Sequence, residues 1–226
     1  MSEETMIDIK QTNVAPRGKG LWDGEVWRQA ETGTVSAFNP DSSDHHPLTE
    51  FKLLYDEKAI YVHFRVRDRY VVARARHHQD SVCKDSCAEF FVRPLGDRKG
   101  YFNVEINCGG TVLLHYVSDW LEKGRRQSQE VSEEWLRQLS IFHTMPDRVE
   151  EEITTETVWQ IEYRLPYALF SAYLGETVSP AAGDVWPANF YKCADASSHP
   201  HWGMWRDVAP PKNFHQPEKF GRIVFA

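Results

Sequence analysis

Apolar and polar residues alternate with a period of two through much of the chain, which is the mark of half-buried strands. Ile60, Val62, Phe64 and Val66 share one face of a segment whose other face carries Tyr61, His63, Arg65 and Arg67. A strand over 50–55 precedes it across Asp56-Glu57-Lys58, so a hairpin is predicted. Ala88, Phe90 and Val92 alternate with Cys87, Glu89, Phe91 and Arg93, and Pro94 closes that strand because proline cannot donate to a sheet ladder. Phe102, Val104 and Ile106 oppose Tyr101, Asn103, Glu105 and Asn107, and Gly109-Gly110 turns the chain into a strand over 111–117. Trp159, Ile161, Tyr163 and Leu165 oppose Val158, Gln160, Glu162 and Arg164 up to Pro166; residues 167–174 then read as a short helical turn ended by Gly175.

Weaker patterns predict strands over 140–144, 188–194 and 222–225, with a short strand or arm within 1–20. Turns fall at Asp23-Gly24, between Trp22 and Trp27, and at 96–100, while 33–47 and the basic, histidine-rich 68–82 read as loops. The period changes between 119 and 139, where Trp120, Leu121, Val131, Trp135, Leu136 and Leu139 sit among charged residues. This predicts a small helical insertion, with helix over 132–139. Nine or ten short strands and one helical piece give an all-β fold: a two-sheet antiparallel β-sandwich, jelly-roll or immunoglobulin-like, formed by one domain over 1–226.

Size and composition agree with that picture: 226 residues, 41% hydrophobic, suffice for one substantial core. A formal charge of −7 argues against binding to nucleic acid or anionic lipid. No segment approaches the roughly 20 apolar residues of a membrane span. The acidic start lacks the basic-then-apolar pattern of a signal peptide, so the chain reads as cytoplasmic, although one trimmed of its leader would look the same and be secreted or periplasmic. Eight tryptophans, nine tyrosines and twelve phenylalanines exceed what a plain core needs, which suggests that some rings are displayed.

Glu89, inside an aromatic strand, is costly to bury unless it faces a groove or holds a partner such as an arginine or a metal ion. The cysteines, Cys83, Cys87, Cys108 and Cys193, are expected as buried free thiols; a zinc site of Cys83 and Cys87 with His77 and His78 fits no standard spacing. Asp56 and Asp68, at strand ends, are candidate calcium ligands, with a turn role the alternative.

Seven segments in order carry a family resemblance. They are Asp23-Gly24-Glu25-Val26-Trp27, residues 53–62, 85–91, 101–107, 159–166, 189–192 and 214–221. Over about four-fifths of its length the chain resembles the family 9 carbohydrate-binding modules and their free-standing relatives of the DOMON-like superfamily. The resemblance implies a β-sandwich that grips a sugar or glycan end between two aromatic rings, with calcium in a structural role and carbohydrate catabolism as the setting. It places polar contacts at Glu89, near Asn103 and Glu105, and at Lys192 within one residue, and one ring at Phe214. The other ring falls on Cys83, so either Trp202, Trp205 or Tyr70 supplies it, or the site takes a different ligand or none. Stacking on a pyranose face and charge-assisted bonds to its hydroxyls suit these residues, with Arg65, Arg67, Arg93 and Lys192 as donors. Two alternatives stay open: hydrolysis of a glycosidic bond by Glu89 and Glu105, free-standing or as a hydrolase-associated domain, and haem ligation through Met145 or Met204.

Overall fold

The computed structural model describes residues 5–19, 21–96, 100–120 and 126–226, without the side chains of positions 120 and 126. In chain order its elements are β1 (Met6–Gln11), α1 (Glu25–Arg28), β2 (Thr32–Val35), β3 (Ala37–Phe38), β4 (Leu48–Tyr55), β5 (Ala59–Asp68), β6 (Val71–Ala73), β7 (Cys87–Val92), β8 (Tyr101–Asn107), β9 (Val112–Trp120), β10 (Arg126–Glu130), α2 (Glu133–Leu136), β11 (Phe142–His143), β12 (Val149–Ile153), β13 (Thr157–Pro166), α3 (Tyr167–Leu174), β14 (Val185–Cys193), β15 (Trp202–Met204) and β16 (Gly221–Phe225).

One sheet runs β10-β9-β8-β7-β14-β16-β1, with β15 continuing from β14 and β3 from β15. The other runs β1-β4-β5-β13-β11, with β2 beside β4. β1 belongs to both: Met6 to Ile9 pair with β16, and Lys10 and Gln11 pair with β4. Those two pairings are parallel; the other strand pairings among the described residues are antiparallel.

The inner faces follow the alternation. Phe90, Val104, Phe190 and Leu114 from the first sheet meet Phe51, Val62, Phe64, Trp159 and Ile161 from the second, all fully buried. Phe190 stacks on Phe51 at 3.6 Å and on Phe90 at 4.8 Å, joining the sheets at the centre of the sandwich. Gly33 of β2 lies opposite Phe51 in register, and a Cβ at that position would clash with the tip of the Phe51 ring, at Cζ and both Cε atoms. Gly33→Ala is therefore expected to destabilise the fold by about 1–3 kcal/mol, the usual cost of overpacking, measured as a lowered denaturant midpoint at unchanged slope.

The hairpin over 50–67, the strand over 101–107 and the 167–174 helix ended by Gly175, at φ 73°, lie where the pattern predicts them. The 119–139 region differs. Asp119 and Trp120 end β9, residues 126–130 form β10 against it, and helix is confined to α2 and a 3-10 turn over Arg137–Leu139. Leu121 lies outside the described residues, as do Asp97, Arg98 and Lys99 of the turn predicted at 96–100. Within the loops expected over 33–47 and 68–82 sit β3 and β6, strands of two and three residues, too short for a period to show.

The outer faces are covered as well. On the second sheet His63, read from the pattern as outward-facing, lies fully buried between Trp22 and Trp27, each ring centroid 5.0 Å away. On the first sheet a segment over 205–220 lies across Phe91, Tyr101 and Tyr191, bringing Val208, Phe214 and Phe220 against them.

Candidate functional site

Two rows of residues cross the outer face of the first sheet. One runs Glu105–Glu89–Tyr191–Met204 through β8, β7, β14 and β15; the next runs Asn107–Cys87–Cys193–Trp202. Where the covering segment stops short of these rows it leaves a cleft of about 190 Å³. Its lining includes Glu89, Glu105, Trp202, Lys212, Phe214 and His215, with Cys83, Cys193, Asp195 and Asn213 completing the wall.

Each wall residue is held from behind. Phe214 stacks on Tyr191 at 4.1 Å, and the Tyr191 hydroxyl donates to the Phe214 carbonyl at 3.0 Å. Trp202 is fixed by β15 and by its indole N–H, which donates to Asp195 at 2.7 Å; the Lys212 ammonium lies 3.6 Å from its ring centroid. His215 Nδ1 and the Tyr101 hydroxyl are 2.7 Å apart.

At the floor, Asn103 Nδ2 donates to Glu105 at 2.8 Å, and the Cys193 thiol donates to Glu89 Oε1 at 2.9 Å. Glu89 is almost wholly buried, and its carboxyl is pushed well above the usual carboxylate range, first by burial and then by the charge of Glu105 beside it. Arg65 and Arg67, two of the donors expected for this region, instead serve the second sheet, Arg65 bonding Glu50 at 2.8 Å and Arg67 lying 3.8 Å from Glu156.

Of the residues expected at the site, Glu89, Glu105 and Phe214 come together in this cleft, and Asn103 stands behind Glu105. Lys192 does not reach it. It shares the inner parity of Ala188 and Phe190, is fully buried, and donates to Asp68 at 3.2 Å, His201 Nε2 at 2.8 Å and the Cys193 carbonyl at 3.0 Å. Trp205 packs edge-on against Phe51 and Phe190, at 5.7 and 5.5 Å. Tyr70 stacks on His199 at 3.6 Å, so of the three rings considered for the Cys83 position it is Trp202 that lines the cleft.

The expected calcium ligands do not fit that role. Calcium takes six to eight oxygens. Asp68 instead meets Lys192, the Trp159 indole N–H at 3.2 Å and His45 Nε2 at 2.8 Å. Asp56 caps its own turn, accepting from the backbone N–H groups of Lys58 and Ala59 and from the Tyr61 hydroxyl. Lys212, Asp195 and Asn213 were not among the expected residues, since they act through a loop fold that no period encodes.

The chain is thus a β-sandwich with a small groove, part aromatic and part acidic, on the outer face of one sheet. Residues 26–225 match the sequence profile of carbohydrate-binding family 9, and the chain belongs to that family. A crystal structure from Bacteroides uniformis ATCC 8492, described as that of a candidate carbohydrate-binding protein, is 27% identical, with a TM-score of 0.83 over 99% of this chain and 100% of that one. A family 9 module from Caldicellulosiruptor kristjanssonii in complex with cellotriose has a TM-score of 0.64 at 14% identity, over 98% of this chain and 93% of its own. Its complex with glucose has a TM-score of 0.61 at 15% identity, over 98% and 96%. A comparison with curated protein sequences finds no match.

Proposed function

We propose that this protein binds a sugar or glycan end without cleaving it, in the cleft between Trp202 and Phe214, in support of carbohydrate catabolism. The observation that carries this reading is the convergence of two aromatic rings, Trp202 and Phe214, and three carboxyls, Glu89, Glu105 and Asp195, on one concave site. A pyranose presents an apolar face to an aromatic ring and hydroxyls to its rim. Glu89, Glu105, Asp195, Asn213, Lys212 and His215 supply acceptors and donors for that rim. The cleft is smaller than the roughly 300–1,000 Å³ that takes a drug-sized ligand, which favours the end of a glycan over a length of its chain. The cellotriose and glucose complexes of the Caldicellulosiruptor kristjanssonii module make glucose and short glucose oligomers the first ligands to try.

Glu89 and Glu105 are direct partners on neighbouring strands, so they share one wall. Hydrolysis needs an acid and a base flanking the bond. Here both carboxyls are engaged from below, Glu105 by the Asn103 amide and Glu89 by the Cys193 thiol, which favours binding over cleavage.

Calorimetric titration with mono- and oligosaccharides tests the reading. Trp202→Ala is expected to weaken the saturable binding by about 2 kcal/mol, about thirtyfold, as the loss of a central aromatic anchor does. Glu89→Gln is expected to lower affinity while leaving the fold intact. Absence of binding across a broad panel, or release of reducing sugar from a bound glycan, would overturn the proposal.

A further inference from the structure

Beneath the cleft, beside Glu89, lies a pair of thiols that sugar recognition does not need. Cys87 and Cys193 face each other in register across β7 and β14, and Glu89 lies one alternation along β7 on the same face. The two sulfurs and a Glu89 carboxylate oxygen all lie within 4.8 Å of one another, and all three residues are buried. Glu89 and Cys193 also line the cleft, so the group is reached from solvent through it. From this convergence of two thiols and a carboxyl at the floor of an open cleft, we infer that Cys87, Cys193 and Glu89 form a binding site for a thiophilic divalent cation of the zinc type.

The donor set selects the ion. Two sulfurs and one oxygen suit zinc, and their thiolates discriminate against calcium and magnesium, which take oxygen ligands. Three protein ligands leave the fourth tetrahedral position facing the cleft, open to water. A zinc–sulfur bond is about 2.3 Å long, so the present spread closes onto an ion by small side-chain rotations within the sheet.

Charge supports the same conclusion. Glu89 is buried next to Glu105, and Lys192, the neighbouring buried cation, points into the opposite face of the sheet, towards Asp68. Zinc binds cysteine as thiolate, so entry of the ion releases the thiol protons to solvent. His77 and His78 take no part: His78 Nδ1 accepts from the Val112 N–H at 3.3 Å, at the far end of the loop. The inference is independent of the sugar reading, because the metal alone is the probe.

The test is titration of the reduced, metal-free protein with Co²⁺, followed by displacement with Zn²⁺. The expected result is one equivalent bound, with a thiolate-to-cobalt charge-transfer band that Zn²⁺ abolishes. Cys87→Ala and Cys193→Ala should each remove the band. Cys108→Ala should keep it, since that thiol lies elsewhere, bonded to the Val72 carbonyl. If either cysteine variant fails to fold, Glu89→Gln decides. It should retain the band with affinity at least about tenfold lower, the least that losing even an outer partner of a metal site costs. A reduced wild-type protein that shows no band overturns the inference. So does a band that survives in folded Cys193→Ala, or an affinity unchanged in Glu89→Gln.

Discussion

Lys192→Met should destabilise the protein by about 3–5 kcal/mol, the usual cost of leaving one member of a buried ion pair without its partner. The Lys192 side chain is fully buried, and each of its three ammonium protons has an acceptor: Asp68, His201 Nε2 and the Cys193 carbonyl. Asp68 is as completely engaged, by Lys192, His45, the Trp159 indole and the Arg69 N–H. Methionine matches the length of lysine but leaves the Asp68 carboxylate in an apolar interior without its counter-charge. Urea unfolding measures the effect. The double variant Lys192→Met/Asp68→Asn should lose less than the sum of the single losses, because the two groups form one interaction. A single-variant loss below about 1 kcal/mol would place the pair in contact with water.

Acid should unfold the protein in two stages, beginning well above the range where carboxylates titrate. His63 is buried between two tryptophans, and its imidazole is pushed down to about 4, chiefly by burial, although its bond to Gln160 pulls the other way. His201 is pushed down to about 3, by burial and then by the Lys192 charge, whose proton its Nε2 accepts. In the unfolded chain both titrate near 6.5. Between about pH 6.5 and 4 the unfolded chain therefore binds protons that the folded one refuses, and stability falls as pH falls. For His63 alone this amounts to roughly 3 kcal/mol by pH 4. Asp68 acts lower down. Its carboxyl is held well below the usual range, since the Lys192 charge and its hydrogen bonds outweigh the upward push of burial. Its contribution is intact above about pH 4 and is lost as pH drops further. Glu89, whose buried carboxyl is pushed upward, works in the opposite sense, so the histidine contribution is read as the stability difference between wild type and His63→Gln, which should shift as pH falls from about 6.5 to 4. A difference constant from about pH 7 to 4.5 would contradict a neutral buried His63.

Lys192 and Asp68 are placed by the same alternation that marks the core. Asp68 continues the inner set Ile60, Val62, Phe64 and Val66, and Lys192 continues Ala188 and Phe190. Strict alternation puts both charges inside, although solvation argues that a lysine points out. Alternation won because each charge found the other. The strands around Glu89 and Glu105 were legible for the same reason: a period of two fixes the face without knowledge of the partner strand. Trp202 was legible only as one of three rings, because a three-residue strand has too few positions to assign a face. The wall formed by Asp195, Lys212 and Asn213 comes from turns and a covering segment, where side-chain direction depends on contacts distant in sequence.

β1 and β16 lie side by side, parallel, and β1 also catches the edge of β4. Tension applied through the start of the first strand and the end of the last would drag these neighbours past each other lengthwise. All the ladder bonds between them would then carry the load together instead of opening one after another. The seam that closes the sandwich is thus also its mechanical clamp, so the domain would resist a load applied between its first strand and its last.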